Sequence, residues 1–137
     1  MSRQSGQVLA FFALVLPIVL LPVAAYAVDA TIVAGRAAGL QAATAQAAET
    51  AAQQLNVGVL RSTGALTLDL PAATLVAART LAEEEPAASI DSSTVTGATV
   101  TVVTSERVTL PFSILARTVT LQARAAARLV PGYDSRT

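Results

Sequence analysis

Residues 8–28, VLAFFALVLPIVLLPVAAYAV, decide the fold of this chain, because they form an apolar run that contains no formal charge. As an α-helix the run would extend about 31 Å, which matches the thickness of a bilayer's hydrocarbon core. Pro17 and Pro22 lie inside it, and bilayer-spanning helices tolerate such residues. The run therefore predicts a transmembrane helix over residues 7–28, preceded by a short polar segment at residues 1–6.

The residues that flank the run predict its orientation. Arg3 precedes it, Asp29 follows it, and Tyr26 stands near its outer end, where interfacial aromatic residues are common. The positive-inside rule then places the N-terminus in the cytoplasm and everything after Asp29 outside. We therefore expect a single-pass protein of the bacterial inner membrane, with its later residues periplasmic or extracellular.

Three interpretations of the run are open. It is a permanent anchor or a prepilin-like segment cut between Gly6 and Gln7, or a signal peptide cut between Ala27 and Val28, or a buried helix of a soluble protein. Ala25-Tyr26-Ala27 satisfies the A-x-A pattern of a signal peptidase site. The length of the run argues against a buried helix. A helical pattern that continues beyond Ala27 favours the anchor.

Beyond the run, residues 29–55 predict an Ala- and Gln-rich helix without Pro. If it continues the anchor, one helix extends from about Gln7 to Leu55, roughly 70 Å, and Asn56 and Gly58 are its stop signals.

Small residues recur in this helix at spacings of three and four. Gly35 and Gly39 form a G-x-x-x-G pattern, which allows close approach between helices in a bilayer. Two interpretations stay open: the helix packs on its own domain, or it packs on other subunits. The candidate packing residues are Gly35, Gly39, Ala38, Ala42, Ala45 and Ala52.

Residues 56–137 predict a small α+β domain. A short strand is expected over 64–69, and a helix follows, capped by Asp69, with Pro71 in its first turn and Pro86 at its end. The apolar stripe expected on that helix, through which it would pack on the sheet, comprises Leu75, Ala78, Leu81 and Ala82.

Alternating residues predict the sheet. A strand pattern begins at Ser93, and Gly97 interrupts its phase, which indicates a bulge or a tight turn before the pattern continues to Leu110. From Val119 to Leu129, apolar and polar residues alternate, so this strand has one buried face. The connection through Pro111 makes the two strands antiparallel. The predicted fold is α+β, a pilin-like lollipop: a long helix followed by one helix packed on an antiparallel sheet.

The composition excludes much chemistry. The chain has no His, Lys or Cys, which removes the usual general bases, Schiff-base lysines, thiol nucleophiles and zinc ligands. Nine basic and nine acidic residues balance, so nucleic acid is not an expected partner. The three carboxylates of Glu83, Glu84 and Glu85 project in different directions on a helix and do not converge on one cation. We expect no enzyme activity, no cofactor and no metal.

The order of these parts resembles the TadE/TadG-like family of tight-adherence (Flp) pilus-assembly proteins. A polar leader ends at Gly6, an apolar run with Leu16-Pro17 follows, and Ala27-Val28-Asp29 leads into the Ala-rich helix. The Thr- and Val-rich strands that end in Val119–Ala127 are similar to the end domain of TadE-like minor pilins.

The resemblance implies a minor pilin or pseudopilin that sits in the inner membrane, associates with other pilin-like subunits as a homo- or hetero-oligomer, and helps to initiate, prime or tip a pilus. It implies cleavage by a prepilin peptidase after a Gly, which Gly6 provides. Pilin-type members carry Glu at the fifth mature position, whereas Phe11 occupies it here. This departure places the chain nearer to the TadG-like members, although it lacks their large additional domain.

Overall fold

The computed structural model describes residues 3–114 and 116–130, with side chains from Gly6 onward. Its elements, in chain order, are α1 (Arg3–Ala51), α2 (Val57–Thr63), α3 (Leu70–Glu84), β1 (Ala88–Thr96), β2 (Thr99–Thr109) and β3 (Thr118–Arg128). The predicted α+β class with a long first helix is confirmed. Met1 and Ser2 of the predicted leader lie outside the described residues.

Helix α1 is continuous over 49 residues and contains both Pro17 and Pro22 in its interior. It therefore joins the apolar run to the Ala-rich segment in one helix, as the sequence predicts. The helix ends at Ala51, before the predicted Leu55, because the chain tightens there. Gln54 N–H donates to the carbonyl of Ala51 three residues back, at 3.1 Å.

A short helix that the sequence analysis missed follows α1. Asn56, interpreted as a stop signal, is the N-cap of α2, and its side chain accepts from Val59 N–H at 3.0 Å. Gly64 ends α2 in the left-handed conformation, with φ of 73°. The strand predicted over 64–69 is wrong: among the described residues it is reduced to one bridge between Leu55 and Leu68.

Helix α3 begins and ends as predicted. Asp69 accepts from Ala72 N–H at 3.2 Å, Pro71 lies in the first turn, and Pro86 follows the end. The predicted apolar stripe is correct at Leu81 and wrong at its other three positions, since Leu75, Ala78 and Ala82 are exposed. The buried residues of the helix are Ala73, Ala77 and Leu81. Small side chains at 73 and 77 let the helix approach its neighbours closely, and the larger Leu75 points away.

The sheet has the order β1-β2-β3 and is antiparallel. Gly97, with φ of 60°, and Ala98 form the two-residue turn between β1 and β2, so the tight turn predicted at Gly97 is confirmed. Strand β1 begins at Ala88, earlier than the predicted Ser93, and has a bulge between Ile90 and Ser92.

The predicted alternation in β3 is confirmed: from Thr118 to Arg128 every second residue is buried or half-buried. Strand β2 is the best-buried strand, with Val100, Val102 and Thr104 fully enclosed. Its central place in the sheet explains this burial, since it has a neighbouring strand on each side.

The chain divides into two compact units. We call Arg36–Arg107 with Thr120–Thr137 the sheet unit, and Met1–Gly35 with Val108–Val119 the anchor unit. The core of the sheet unit takes buried residues from α1, α3 and β2, together with Leu68. In the anchor unit, Asp29, Val108 and Leu110 are buried.

Candidate functional site: an apolar helix surface and a small-residue face

The apolar run of α1 exposes its large side chains on every side. One helix of the described chain is long and apolar enough to cross a membrane, and no part of its most apolar window is buried. The exposed residues of the run are Val8, Leu9, Phe11, Phe12, Leu14, Leu16, Ile18, Val19, Leu20, Leu21, Val23, Tyr26 and Val28. Since contact of so much apolar surface with water is unfavourable, this surface needs an apolar environment.

Both candidate cleavage sites lie within α1. Gly6 and Gln7 are exposed in its first turns, and a Cβ on Gly6 would meet nothing within 4 Å. The Ala27–Val28 bond lies in the helix interior, so the predicted continuation of helix past the A-x-A pattern is confirmed. A peptidase acting at either position needs local unwinding, which is easier near a helix end than in its interior.

The six candidate packing residues do not share one environment. Gly35, Ala38, Gly39 and Ala42 are exposed, and we call them the small-residue face. Ala45 is half-buried, whereas Ala52 is buried in the core of the sheet unit and is closed to another chain. Packing on the chain's own domain therefore holds for Ala52 and in part for Ala45, whereas the small-residue face is open.

Helix periodicity explains this division. From Leu40 onward, the buried residues of α1 recur every three or four positions: Leu40, Ala43, Thr44, Ala47, Ala48 and Ala51. Ala52, the first residue after the helix, is also buried. Successive residues are separated by 100°, so Ala38 and Ala42 lie about 160° around the axis from Leu40, Gly35 about 140° and Gly39 about 100°. Gly35, Ala38 and Ala42 thus lie opposite to Leu40, and Gly39 lies at the edge of the small-residue face.

Polar contacts inside the sheet unit determine which face of α1 is buried. The hydroxyls of Thr44 and Thr104 share a buried hydrogen bond of 2.6 Å, and Thr44 also donates to the Leu40 carbonyl. Gln41 Nε2 donates to the Arg124 carbonyl of β3 at 3.2 Å. These directional bonds hold the helix at one rotation against the sheet.

An acidic pair faces the half-exposed Arg36. Its Nη1 lies 3.2 Å from Glu85 Oε1 and 3.7 Å from Glu106 Oε1. Glu106 is 3% exposed, and its Oε2 accepts no hydrogen bond from the part of the chain that the structure describes. A buried carboxylate without its cation is strongly unfavourable, so Arg36 has a structural role beside the small-residue face.

The carboxylates at the end of α3 have separate partners. Glu83 pairs with Arg79 at 3.1 Å, Glu84 accepts from Gln46 at 3.1 Å, and Glu85 pairs with Arg36. Within residues 3–114 and 116–130, no group of three His, Cys, Asp or Glu side chains is arranged to hold a metal ion. Each of the three carboxylates therefore has a hydrogen-bond or ion-pair partner of its own.

A polar hollow of 420 Å³ on the sheet unit is lined by Ser89, Asp91 and Ser105. Ser105 Oγ donates to Asp91 Oδ1 at 2.7 Å, and Arg107 and Thr120 also line the hollow. Because the chain has no His or Lys, nothing here supplies the usual activation of a serine.

The anchor unit contains a contact that was not predicted from the sequence. Asp29 is completely buried, and its two carboxylate oxygens accept from the N–H groups of Phe112 and Ile114, both at 3.3 Å. Ser113 between them has φ of 54°, a turn conformation that lets alternate N–H groups reach one carboxylate. The one available signal was that Asp29 is the sole charged residue between Arg3 and Arg36.

In comparisons with protein-family models, curated proteins and solved structures, nothing matched this chain.

Proposed function

We propose that this protein is a membrane-anchored pilus-assembly subunit, similar to the minor pilins and pseudopilins of tight-adherence systems. The observation that carries the proposal is that one continuous helix combines an all-round exposed apolar surface with a one-sided exposed face of small residues. The first surface suits lipid, and the second suits another helix. The pilin-like assignment of the whole fold is part of this proposal and rests on the order of parts in the sequence.

The anchor is supported by the length and exposure of the apolar run. Backbone N–H and C=O groups in lipid must be satisfied within the segment, and a continuous helix does this. Arg3 before the run and Asp29 after it favour a cytoplasmic N-terminus in the bacterial inner membrane. The sheet unit would then lie in the periplasm or outside the cell, where it contacts partner subunits.

Assembly would proceed by lateral helix packing, without bond chemistry. Small residues let two helix backbones approach closely, which increases dispersion contact along both helices. Gly35 is well suited to this role, because a Cβ built on it meets nothing within 4 Å of its own chain. The room beside Gly35 is therefore open to a second helix.

The first experiment measures the mature N-terminus by intact mass of the protein purified from membranes of its host. A start at Gln7 supports prepilin-type processing despite Phe11, and retention of Met1 or Ser2 supports a permanent assembly factor. A start at Val28 would remove the anchor and contradict the proposal.

A second experiment tests helix packing. Gly35→Leu, Gly39→Leu and Ala45→Leu are each expected to reduce pilus formation, while thermal unfolding shows a folded sheet unit. Gly35→Leu is the most specific test of the three, since a Cβ on Gly39 would lie 3.6 Å from Glu85 Oε2 and Ala45 is half-buried.

Ala37→Leu is the matched control, because Ala37 is exposed on α1 but lies about 60° from Leu40, outside the small-residue face. Normal piliation in all three test variants would exclude helix packing as the mechanism.

The second candidate function is a secreted or periplasmic binding module released after Ala27. One observation favours it: the apolar core of the sheet unit draws its buried residues from Ala43 onward and uses none from the apolar run. A soluble mature form beginning at Val28 would support this alternative, and exclusive recovery in the membrane fraction would contradict it.

A further inference from the structure

The anchor unit holds a loop against the end of the apolar run. The carboxylate of Asp29, the residue immediately after the run, accepts the N–H groups of Phe112 and Ile114. We propose that the segment Pro111–Ile114 is a second membrane contact, which places the Phe112 and Ile114 side chains in the headgroup–acyl boundary where α1 leaves the bilayer. The inference rests on the proposed membrane anchor and adds a second lipid contact to it.

The position of Asp29 determines the level of the loop. Ile18 is the midpoint of residues 8–28, and Asp29 lies eleven residues later, about 16 Å along the helix axis. Half of a bilayer's hydrocarbon core is about 15 Å. When the run is centred in the bilayer, Asp29 therefore lies at the hydrocarbon boundary, and the two hydrogen bonds hold Phe112 and Ile114 at the same level.

The segment presents apolar side chains while two of its backbone N–H groups are bound. Phe112 is 54% exposed and Ile114 48% exposed, although their N–H groups are bound to a buried carboxylate. Ser113 Oγ donates to the Leu110 carbonyl at 3.2 Å, which closes the turn. Backbone groups that are already paired enter the interface at low cost, whereas unpaired ones would resist it.

The surroundings favour lipid over a protein partner. Tyr26 and Val28, at the end of the run, are also exposed, so apolar side chains lie close in sequence to Asp29, the residue that binds the loop. Arg117 is exposed at the far end of the connection, and its carbonyl accepts from Leu110 N–H at 3.0 Å. An aromatic and an aliphatic side chain followed by Arg is a combination that suits the boundary of an anionic membrane.

Single-tryptophan variants test this inference, because the natural chain contains no Trp. The full-length protein carrying Phe112→Trp is reconstituted in phosphatidylcholine–phosphatidylglycerol vesicles, with lipids brominated near the headgroup or near the terminal methyl. Phe12→Trp reports on the anchor. Leu75→Trp, at an exposed position of α3, is the aqueous control.

We expect Phe112→Trp to emit at shorter wavelength than Leu75→Trp and to be quenched more by bromine near the headgroup than near the terminal methyl. Quenching at Phe12 with none at Phe112 would overturn the loop contact and leave the anchor standing. A blue-shifted but unquenched Phe112→Trp would also overturn it, because the segment would then be covered by protein. Absence of quenching at both Phe12 and Phe112 would overturn the anchor and the loop contact together.

Discussion

The two parts of helix α1 are both rich in apolar residues, yet they differ in the size of their side chains and in how burial is distributed around the helix axis. Residues 8–28 carry Leu, Ile, Val and Phe on all sides, and nearly all of them are exposed. Residues 40–52 carry mostly Ala, and one side is buried while the other is open. Large side chains on every side suit a solvent of lipid chains, whereas small side chains on one side suit close contact with protein.

This difference shows that the exposed fraction of a single side chain does not by itself identify an interaction surface. Ile18 in α1 and Leu75 in α3 are 64% and 72% exposed. Ile18 belongs to a continuous surface of large apolar side chains, whereas none of the residues one turn from Leu75 in α3 carries a large aliphatic or aromatic side chain. Single exposed apolar residues are normal in soluble proteins, and large continuous surfaces are not. Substitutions at matched positions therefore separate the two environments.

The largest effect is expected from a charge at the centre of the run. Ile18→Arg should reduce the fraction of protein that integrates in the membrane, because a charge at the centre of a spanning helix costs about 2.5–3.5 kcal/mol on insertion scales. Extraction of membranes with alkaline carbonate measures the retained fraction. Leu75→Arg is the control, expected to change the free energy of unfolding by less than about 0.5 kcal/mol. Equal retention of both variants would mean that the run does not span a bilayer.

A smaller effect is expected from overpacking the buried side of α1. Ala47 is fully buried, so Ala47→Leu should destabilise the sheet unit by about 1–3 kcal/mol. Ala42→Leu, on the opposite face, adds the same atoms in an exposed position and should leave thermal unfolding nearly unchanged. If both variants unfold alike, the assignment of the buried and open faces of α1 is wrong.

The contact at the junction between the two parts of α1 is expected to be weaker still. Asp29→Ala removes the acceptor of two N–H groups, and we expect a local loss of about 1–2 kcal/mol. Hydrogen exchange at Phe112 and Ile114 should accelerate, while exchange at Val100 and Val102 in the sheet unit should stay slow. Unchanged protection at Phe112 and Ile114 would contradict the contact.

The smallest effect is expected at Gly35. Gly35→Ala should stabilise the helix by up to about 1 kcal/mol, because Ala has the higher helix propensity and the added Cβ meets no neighbour. Circular dichroism melting in detergent measures this change. Destabilisation by Gly35→Ala would indicate that Gly35 already contacts another helix in the detergent-solubilised state.

Local signals predicted much of the fold. Asp69 and Pro71 define the start of α3 through capping chemistry that involves only neighbouring residues. Gly97 marks a turn that needs positive φ, and the alternation from Val119 to Leu129 predicts the buried face of β3. These features depend on backbone conformation and periodicity, which a short stretch of sequence carries by itself.

The sequence-based predictions were wrong where contacts between residues distant in sequence determine the local structure. Leu75 is more apolar than Ala73 or Ala77, but the close approach available to α3 favours the smaller side chains. The residues near Leu68 alternate like a strand, yet they find no neighbouring strand beyond one bridge. Asn56 fits both the stop of one helix and the cap of the next, and the tightened turn after Ala51 selects the second role.

The sequence by itself determined the long helix, its apolar run and the alternating pattern of the strands. It also excluded chemistry that needs His, Lys or Cys, because the chain contains none of these residues. Only the tertiary structure decided which small residues of α1 are buried, because spacing identifies two opposite faces but not the one that meets the sheet. It also decided the role of Asp29. From the sequence, Asp29 is known only as the charged residue that follows the apolar run. Its role as a hydrogen-bond acceptor depends on N–H groups of a loop more than eighty residues away.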